Sequence, residues 1–158
     1  MAKLTPKEMQ KRTAAYIKNI NKATKSYVAV GLPSEKIGGK IYGEGMTVAA
    51  IGAIHEYGGK KIPRRSFLNT PFIEKKEELK KTTEEQFADV WKRGKDADIA
   101  LGLIGSVAVN ISKGAFTTRG YGVWDDIKES TKKAKGSSQV LIDTGILRGS
   151  ITYVVRSS

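Results

Sequence analysis

The final segment of the chain, residues 150–155, constrains the fold more than any other. Ile151, Tyr153 and Val155 fall on one side of this segment, which we expect to be buried, and Ser150, Thr152 and Val154 fall on the other. A period of two is expected of a β-strand with one buried face. Because only three residues follow Val155, we expect the strand that pairs with it to lie upstream.

An earlier segment, residues 25–32, has the same period of two. Val28, Val30 and Leu32 share one face, and Pro33 follows them, where it would end a strand. We therefore expect a small antiparallel sheet that includes a first strand at about residues 26–32 and a last strand at about 150–156.

The first helix begins at Thr5-Pro6-Lys7-Glu8, which combines a capping box with a proline in the first turn. An apolar stripe follows at helical spacing, and lysines occupy mostly the opposite face. We expect this stripe to be buried; it consists of Met9, Tyr16, Ile17, Ile20 and Ala23.

Three further helices are predicted between the strands. Thr47 caps a short helix that ends at Tyr57, a long charged helix covers about residues 71–93, and an apolar helix covers about 98–112. The last of these is apolar on nearly all sides and has small residues at positions 102, 105, 106 and 108. This pattern predicts burial on more than one face, so residues 99–111 should pack in the subunit core or between subunits.

These elements predict an α+β fold in one domain, residues 1–158, with the sheet packed against several helices. Residues 114–138 are rich in glycine and then strongly polar, with Trp124 as the main apolar anchor. We expect this segment to be a long loop that is mobile or becomes ordered against a partner.

The chain has 28 lysines and arginines against 16 acidic residues, a formal charge of +12. Such an excess favours an anionic partner, although a solvated basic surface would give the same composition. The longest apolar run has 13 residues, whereas a membrane span needs about 20. We expect a soluble protein that does not associate with membranes.

Two short segments are similar to parts of the catalytic sites of known enzymes. Leu141-Ile142-Asp143-Thr144-Gly145 is similar to the active-site loop of retroviral aspartic proteases, but only 13 residues follow Gly145, too few for the rest of that fold. His55-Glu56 matches the start of a zinc-protease helix, but position 59 is glycine and the chain has no second histidine. The chain also lacks cysteine. The sequence therefore predicts no enzyme activity and no catalytic, cofactor-binding or metal site.

Four segments, in their order along the chain, resemble one family. They are Val28-Ala29-Val30-Gly31-Leu32, residues 47–58 ending in His55-Glu56-Tyr57-Gly58, Ile62-Pro63-Arg64-Arg65-Ser66-Phe67-Leu68, and residues 141–155. The family is that of the tail-completion or neck proteins of tailed bacteriophages, a virion-morphogenesis group that includes the Mu G-like proteins. The resemblance covers about residues 25–156, and it departs from the family at Ser66, where a proline tends to follow the arginine.

The resemblance implies a structural protein of the virion, assembled in the cytoplasm of the bacterial host. It would form a six-fold ring of identical subunits at the head-proximal end of the tail, completing the tail and joining it to the capsid. Its partners would be the tail tube or tail terminator, the head–tail connector and, nonspecifically, packaged DNA.

Contacts with neighbouring subunits are expected at residues 60–67, in the apolar helix and in the loop at 114–138. The candidate interface residues are Lys61, Arg64, Arg65, Phe67, Leu103, Val107, Trp124, Lys132 and Lys133. The alternative function is that of a basic nucleic-acid-binding factor acting through nonspecific phosphate contacts. Specific readout is not expected, because the basic clusters are dispersed and lack interleaved aromatic residues.

Overall fold

The computed structural model describes residues 4–37, 39, 45–59, 62–125 and 145–157. Within these ranges, seven helices accompany a two-stranded antiparallel sheet, which confirms the predicted mixture of helix and sheet. The elements are α1 (Pro6–Thr24), β1 (Ser26–Gly31), α2 (Ser34–Ile37), α3 (Val48–Tyr57), α4 (Asn69–Glu74), α5 (Lys76–Arg93), α6 (Ala97–Gly114), α7 (Ile146–Ser150) and β2 (Thr152–Ser157). No helix in these ranges has the length and apolarity that crossing a membrane requires.

The sheet consists of the first and the last strand, as predicted. The expected buried face of the last strand is wrong at its end, since Val154 is buried and Val155 is 38% exposed. β1 and β2 are antiparallel, with Val30 opposite Tyr153 and Gly31 opposite Thr152. The last strand begins at Thr152, later than expected, because the preceding residues form α7. Gly145 begins α7 with a φ of 67°, and the Ser150 hydroxyl donates to the Ile146 carbonyl oxygen, 2.7 Å away.

α6 is the central helix and contacts α1, α5, β1 and β2. Its buried residues Ala100, Leu101, Ile104 and Ala108 lie on one side of the helix, whereas Ile99 and Leu103 on the other side are 58% and 44% exposed. Burial of a second face therefore stays a prediction for contact between subunits. The small residues in this helix receive an aromatic ring of the same chain. The ring of Tyr153 lies so close to Gly105 that an added Cβ would be 2.5 Å from ring carbons.

The larger hydrophobic core lies around the last turns of α6 and contains three aromatic rings. Phe116 packs against Phe67 at 5.6 Å and against Trp124 at 5.9 Å between ring centroids. Residues 115–124 form a series of turns, and Ala115, Phe116 and Trp124 are buried. The segment expected to be a loop that is mobile or ordered by a partner is therefore packed against the core of its own chain at these residues, and residues 126–138 lie outside the described part of the chain.

The long helix predicted at 71–93 is two helices, α4 and α5, with a break at Lys75. This residue leaves helical geometry at φ −110° and ψ 22°, and its ammonium group lies 5.2 Å from the centroid of the Tyr121 ring. The break lets both helices pack against α6. Pro71, in the first turn of α4, is buried.

Among the described residues, α1 contacts the body of the protein through its C-terminal half, where the Tyr16 hydroxyl donates to the Trp91 carbonyl oxygen. Asn19 donates to the Lys95 carbonyl oxygen (2.8 Å) and accepts from the Ala97 amide (2.9 Å). Ala23 is buried and Ile20 partly buried, whereas residues 6–18 are exposed throughout. Met9 and Ile17 are 56% and 53% exposed and Tyr16 is also exposed. The expected burial of the whole apolar stripe is therefore wrong, because α1 extends past the surface that could cover it.

The contact between Gly105 and Tyr153 gives a test of the packing of α6 against β2. Replacing Gly105 with alanine places a methyl group 2.5 Å from carbon atoms of the Tyr153 ring. This should lower the free energy of unfolding by about 1–3 kcal/mol, the usual cost of overpacking. Gly149→Ala is the control, since its methyl group meets no atom within 4 Å and should be neutral or stabilise by about 0.4–1 kcal/mol. Urea unfolding followed by circular dichroism measures both; equal stabilities of the two variants would contradict this packing.

Candidate interaction site

The carboxylate of Glu56 is buried and accepts four hydrogen bonds from the segment that precedes and begins α4. Glu56 Oε1 accepts from the Ser66 hydroxyl (2.7 Å) and the Asn69 amide (3.0 Å). Glu56 Oε2 accepts from the amides of Phe67 (2.9 Å) and Leu68 (3.0 Å). The carboxylate thus satisfies amide groups that α4 leaves free at its first turn and places a negative charge at the favourable end of the helix dipole.

Residues 62–69, here called the connector, also form hydrogen bonds with α3 and with the protein core. On the α3 side, Arg64 Nε donates to the Glu56 carbonyl oxygen (3.1 Å) and the Arg65 amide donates to the His55 carbonyl oxygen (2.8 Å). On the core side, Ser112 Oγ on α6 donates to the Phe67 carbonyl oxygen (2.6 Å). These bonds join the connector to two helices that are far apart in sequence.

The chain enters the connector through a tight turn after α3. Gly58 has a φ of 80°, and a Cβ on it would lie 3.2 Å from the backbone nitrogen of Arg64; glycine is therefore the residue that fits. The Gly59 amide donates to the Ile62 carbonyl oxygen (2.9 Å), and the Ile62 amide donates to the Gly59 carbonyl oxygen (3.2 Å). Lys60 and Lys61 lie between these two residues in the sequence and are outside the described residues.

The turn and the connector together present apolar, aromatic and cationic side chains to solvent. Tyr57 is 79% exposed, Ile62 is also exposed, and Pro63 and Arg64 lie beside it on the surface. We call these four residues the connector patch. Tyrosine and arginine are the residue types most enriched among the energetically dominant residues of protein–protein interfaces. The connector patch is therefore chemically suited to protein contact, and the bonds of the connector hold it in place before any partner binds.

The predicted interface residues occupy three different environments. Arg64 is exposed and Arg65 half-buried, both in the connector, and Leu103 (44% exposed) and Val107 (half-buried) are on α6. Phe67 and Trp124 are 1% and 5% exposed. These two are core residues and not surface contacts, a correction to the prediction: the Trp124 indole donates to the Ser66 carbonyl oxygen (3.2 Å) and anchors the connector from inside. Lys61, Lys132 and Lys133 lie outside the described residues.

Glu56 and Tyr57 are the functional residues that sequence reasoning missed. The available signal was a carboxylate in the last turn of an otherwise apolar helix, α3. A charged group in such a position has to find several hydrogen-bond donors if the helix packs on that side. The donors are backbone amides, which have no sequence signature.

Val107 lies in a shallow cleft of about 340 Å³ formed with Lys75, Glu78 and Tyr121, among other residues. Burial, with a smaller contribution from the charge of Glu78, raises the pKa of Tyr121, whose hydroxyl donates to the Ile111 carbonyl oxygen (2.8 Å). The phenol thus stays protonated and attaches the turns after α6 to that helix.

Among the described residues, no three histidine or acidic side chains are grouped so that they could bind a metal ion.

Replacing Glu56 with glutamine tests the role of the carboxylate at constant shape. With the amide NH₂ at the Oε2 position, the Phe67 and Leu68 amides lose their acceptor. At the Oε1 position the Asn69 amide loses its acceptor, whereas the Ser66 hydroxyl can turn and accept. At least one buried donor is thus left without an acceptor, and unfolding should become easier by about 1–3 kcal/mol. Amide hydrogen exchange should also accelerate at Phe67, Leu68 and Asn69. The control is Glu84→Gln on the exposed face of α5, where the change should stay within about 0.5 kcal/mol. A Glu56→Gln protein as stable as the control would show that these bonds do not hold the connector.

Comparisons with protein-family models, with curated proteins and with solved structures give no match to this chain.

Proposed function

We propose that this protein is a structural component of a tailed-phage virion that forms a ring at the head-proximal end of the tail and joins the tail to the capsid. The observation that carries the proposal is the connector patch: a buried carboxylate with four hydrogen bonds holds the connector, on which Ile62 and Arg64 are exposed, next to the exposed Tyr57 at the end of α3. An ordered, exposed aromatic and cationic surface is typical of a contact between proteins.

A second group of exposed apolar side chains supports assembly into a ring. Met9, Tyr16 and Ile17 of α1 are exposed, and so is Trp91 of α5, whose carbonyl oxygen accepts a hydrogen bond from the Tyr16 hydroxyl. A ring joins two different surfaces of each subunit in head-to-tail contacts. The connector patch and this α1 surface are formed by different elements, so they provide the two surfaces that such a contact needs.

The arrangement of the four segments that resemble the neck proteins also supports the proposal. The first segment is β1 and the end of the last is β2, and these two strands pair. The second segment is α3 and the third is the connector, and Glu56 of α3 accepts hydrogen bonds from the connector. α3 also contacts α7, within the last segment. Segments that are separate in the sequence thus form one structural unit, as expected if a family shares them for a common fold.

The ring proposal predicts that the connector patch is needed for assembly. In the double variant Tyr57→Ser/Arg64→Glu, association should weaken by roughly 10³-fold, because removing each of the two interface anchors costs about 2 kcal/mol or more. Light scattering coupled to size-exclusion chromatography measures self-association, and negative-stain microscopy measures attachment to the ends of purified tails. The variant should keep the far-UV circular dichroism of the wild type.

Val123→Ser/Lys80→Glu is the matched control, since it also removes one exposed apolar side chain and reverses one exposed cation. It should assemble like the wild type. A wild-type protein that neither self-associates nor attaches to tail ends would refute the proposal. Equal loss of assembly in both variants would refute the part assigned to the connector patch.

A further inference from the structure

Four lysines form a single row along α1. Lys7, Lys11, Lys18 and Lys22 are separated by four, seven and four residues, spacings that keep them on one side of a helix of 3.6 residues per turn. At 1.5 Å per residue the row is about 22 Å long. Only alanine, at positions 14 and 15, occupies this side near the middle of the row, so no bulky side chain separates its two halves.

The lysine row is well exposed and almost without intramolecular counter-charge. Lys7, Lys11 and Lys18 have neither an ion pair nor a hydrogen-bond partner among the described residues, and Lys22 pairs with Asp98. The acidic residue on α1 itself is Glu8, whose carboxylate is bound by Thr5 at the helix start; those hydrogen bonds lower the pKa of Glu8. α1 therefore carries a net charge of +4, from five cations and one carboxylate.

An open cleft of about 780 Å³ lies between the lysine row and the turn that joins α5 to α6. Arg12, Lys18, Lys22 and Arg93 supply four cations to its wall. The wall also includes the carboxylate of Asp96, which accepts from the first amides of α6, and Asp89 pairs with Arg93. The positive charge of the row thus continues into a concave surface, although part of the charge of Lys22 and Arg93 is offset.

We propose that the lysine row and this cleft bind the sugar-phosphate backbone of double-stranded DNA without reading its sequence. A row of about 22 Å needs a partner with charge repeated over that length, and DNA carries one charge per about 1.7 Å of helix axis. Lysine acts as a flexible point charge on phosphate and needs no pocket. An acidic protein surface fits less well, because protein interfaces need apolar anchors and the apolar stripe of α1 lies on the side away from the row.

This site does not depend on ring formation, and the proposal is tested on the free full-length protein. A fluorescently labelled duplex is titrated with protein, and anisotropy is followed between about 50 and 200 mM salt. Replacing Lys7, Lys11 and Lys18 with glutamine, which keeps helix propensity nearly constant, should weaken binding at least about ten-fold at the lower salt concentration and reduce the slope of log K against log salt by about 2.7.

The control replaces Lys76, Lys80 and Lys81 on α5 with glutamine, which changes the net charge by the same amount at exposed positions. Its affinity should stay within about two-fold of the wild type if binding is localised at α1. Equal weakening of both variants would show that net charge alone is responsible, and absence of DNA binding by the wild type would overturn the proposal. Binding to anionic lipid vesicles but not to the duplex would overturn it in favour of a membrane surface. The Tyr57→Ser/Arg64→Glu protein should bind DNA normally, so this site and the ring can fail separately.

Discussion

The carboxylate of Glu56 is the interaction on which the arrangement of the rest of the protein depends. A buried charge is costly unless hydrogen bonds compensate it, and here one hydroxyl and three backbone amides do so. Because the amides belong to consecutive residues, the carboxylate fixes the backbone of the connector and the start of α4 together. Ser112 and Trp124 then attach the same connector to the core. Hydrogen bonds in the interior of the protein therefore determine the position of the connector patch.

Ser66 connects two parts of the site through its hydroxyl. The Ser66 hydroxyl donates to Glu56 and accepts from the Thr70 amide (2.9 Å), so it connects the buried carboxylate with the first turn of α4. A proline at this position would restrict φ but would offer neither bond. The serine thus stabilises by hydrogen bonding a segment that a proline would stabilise by restricting the backbone.

The sequence predicts the features that leave a pattern in the chain and misses those that depend on contacts without one. The strand pairing and the caps at Thr5 and Thr47 follow from periodicity and nearby side chains. The order of residues 115–124 does not, because it depends on a hydrogen bond between Trp124 and Ser66, 58 residues apart. The exposure of Met9 was missed because periodicity shows which side of a helix is apolar but not whether the chain has a surface to cover it. At the site, Arg64 was predicted as a surface residue, whereas Glu56 acts on backbone amides that no sequence pattern marks.

The two sides of α1 suit two different partners. Assembly into a ring would change the strength of binding to one of them, DNA. The apolar stripe and the lysine row lie on opposite sides of the helix, so a neighbouring subunit and a polyanion can bind at the same time. One subunit offers few phosphate contacts, and each contributes little at physiological salt. In a ring, every subunit would present the same row to the same duplex, and after the first contact the others would form at high effective concentration. Weak binding by the free subunit and firm retention of DNA by the assembled ring are therefore consistent with one another.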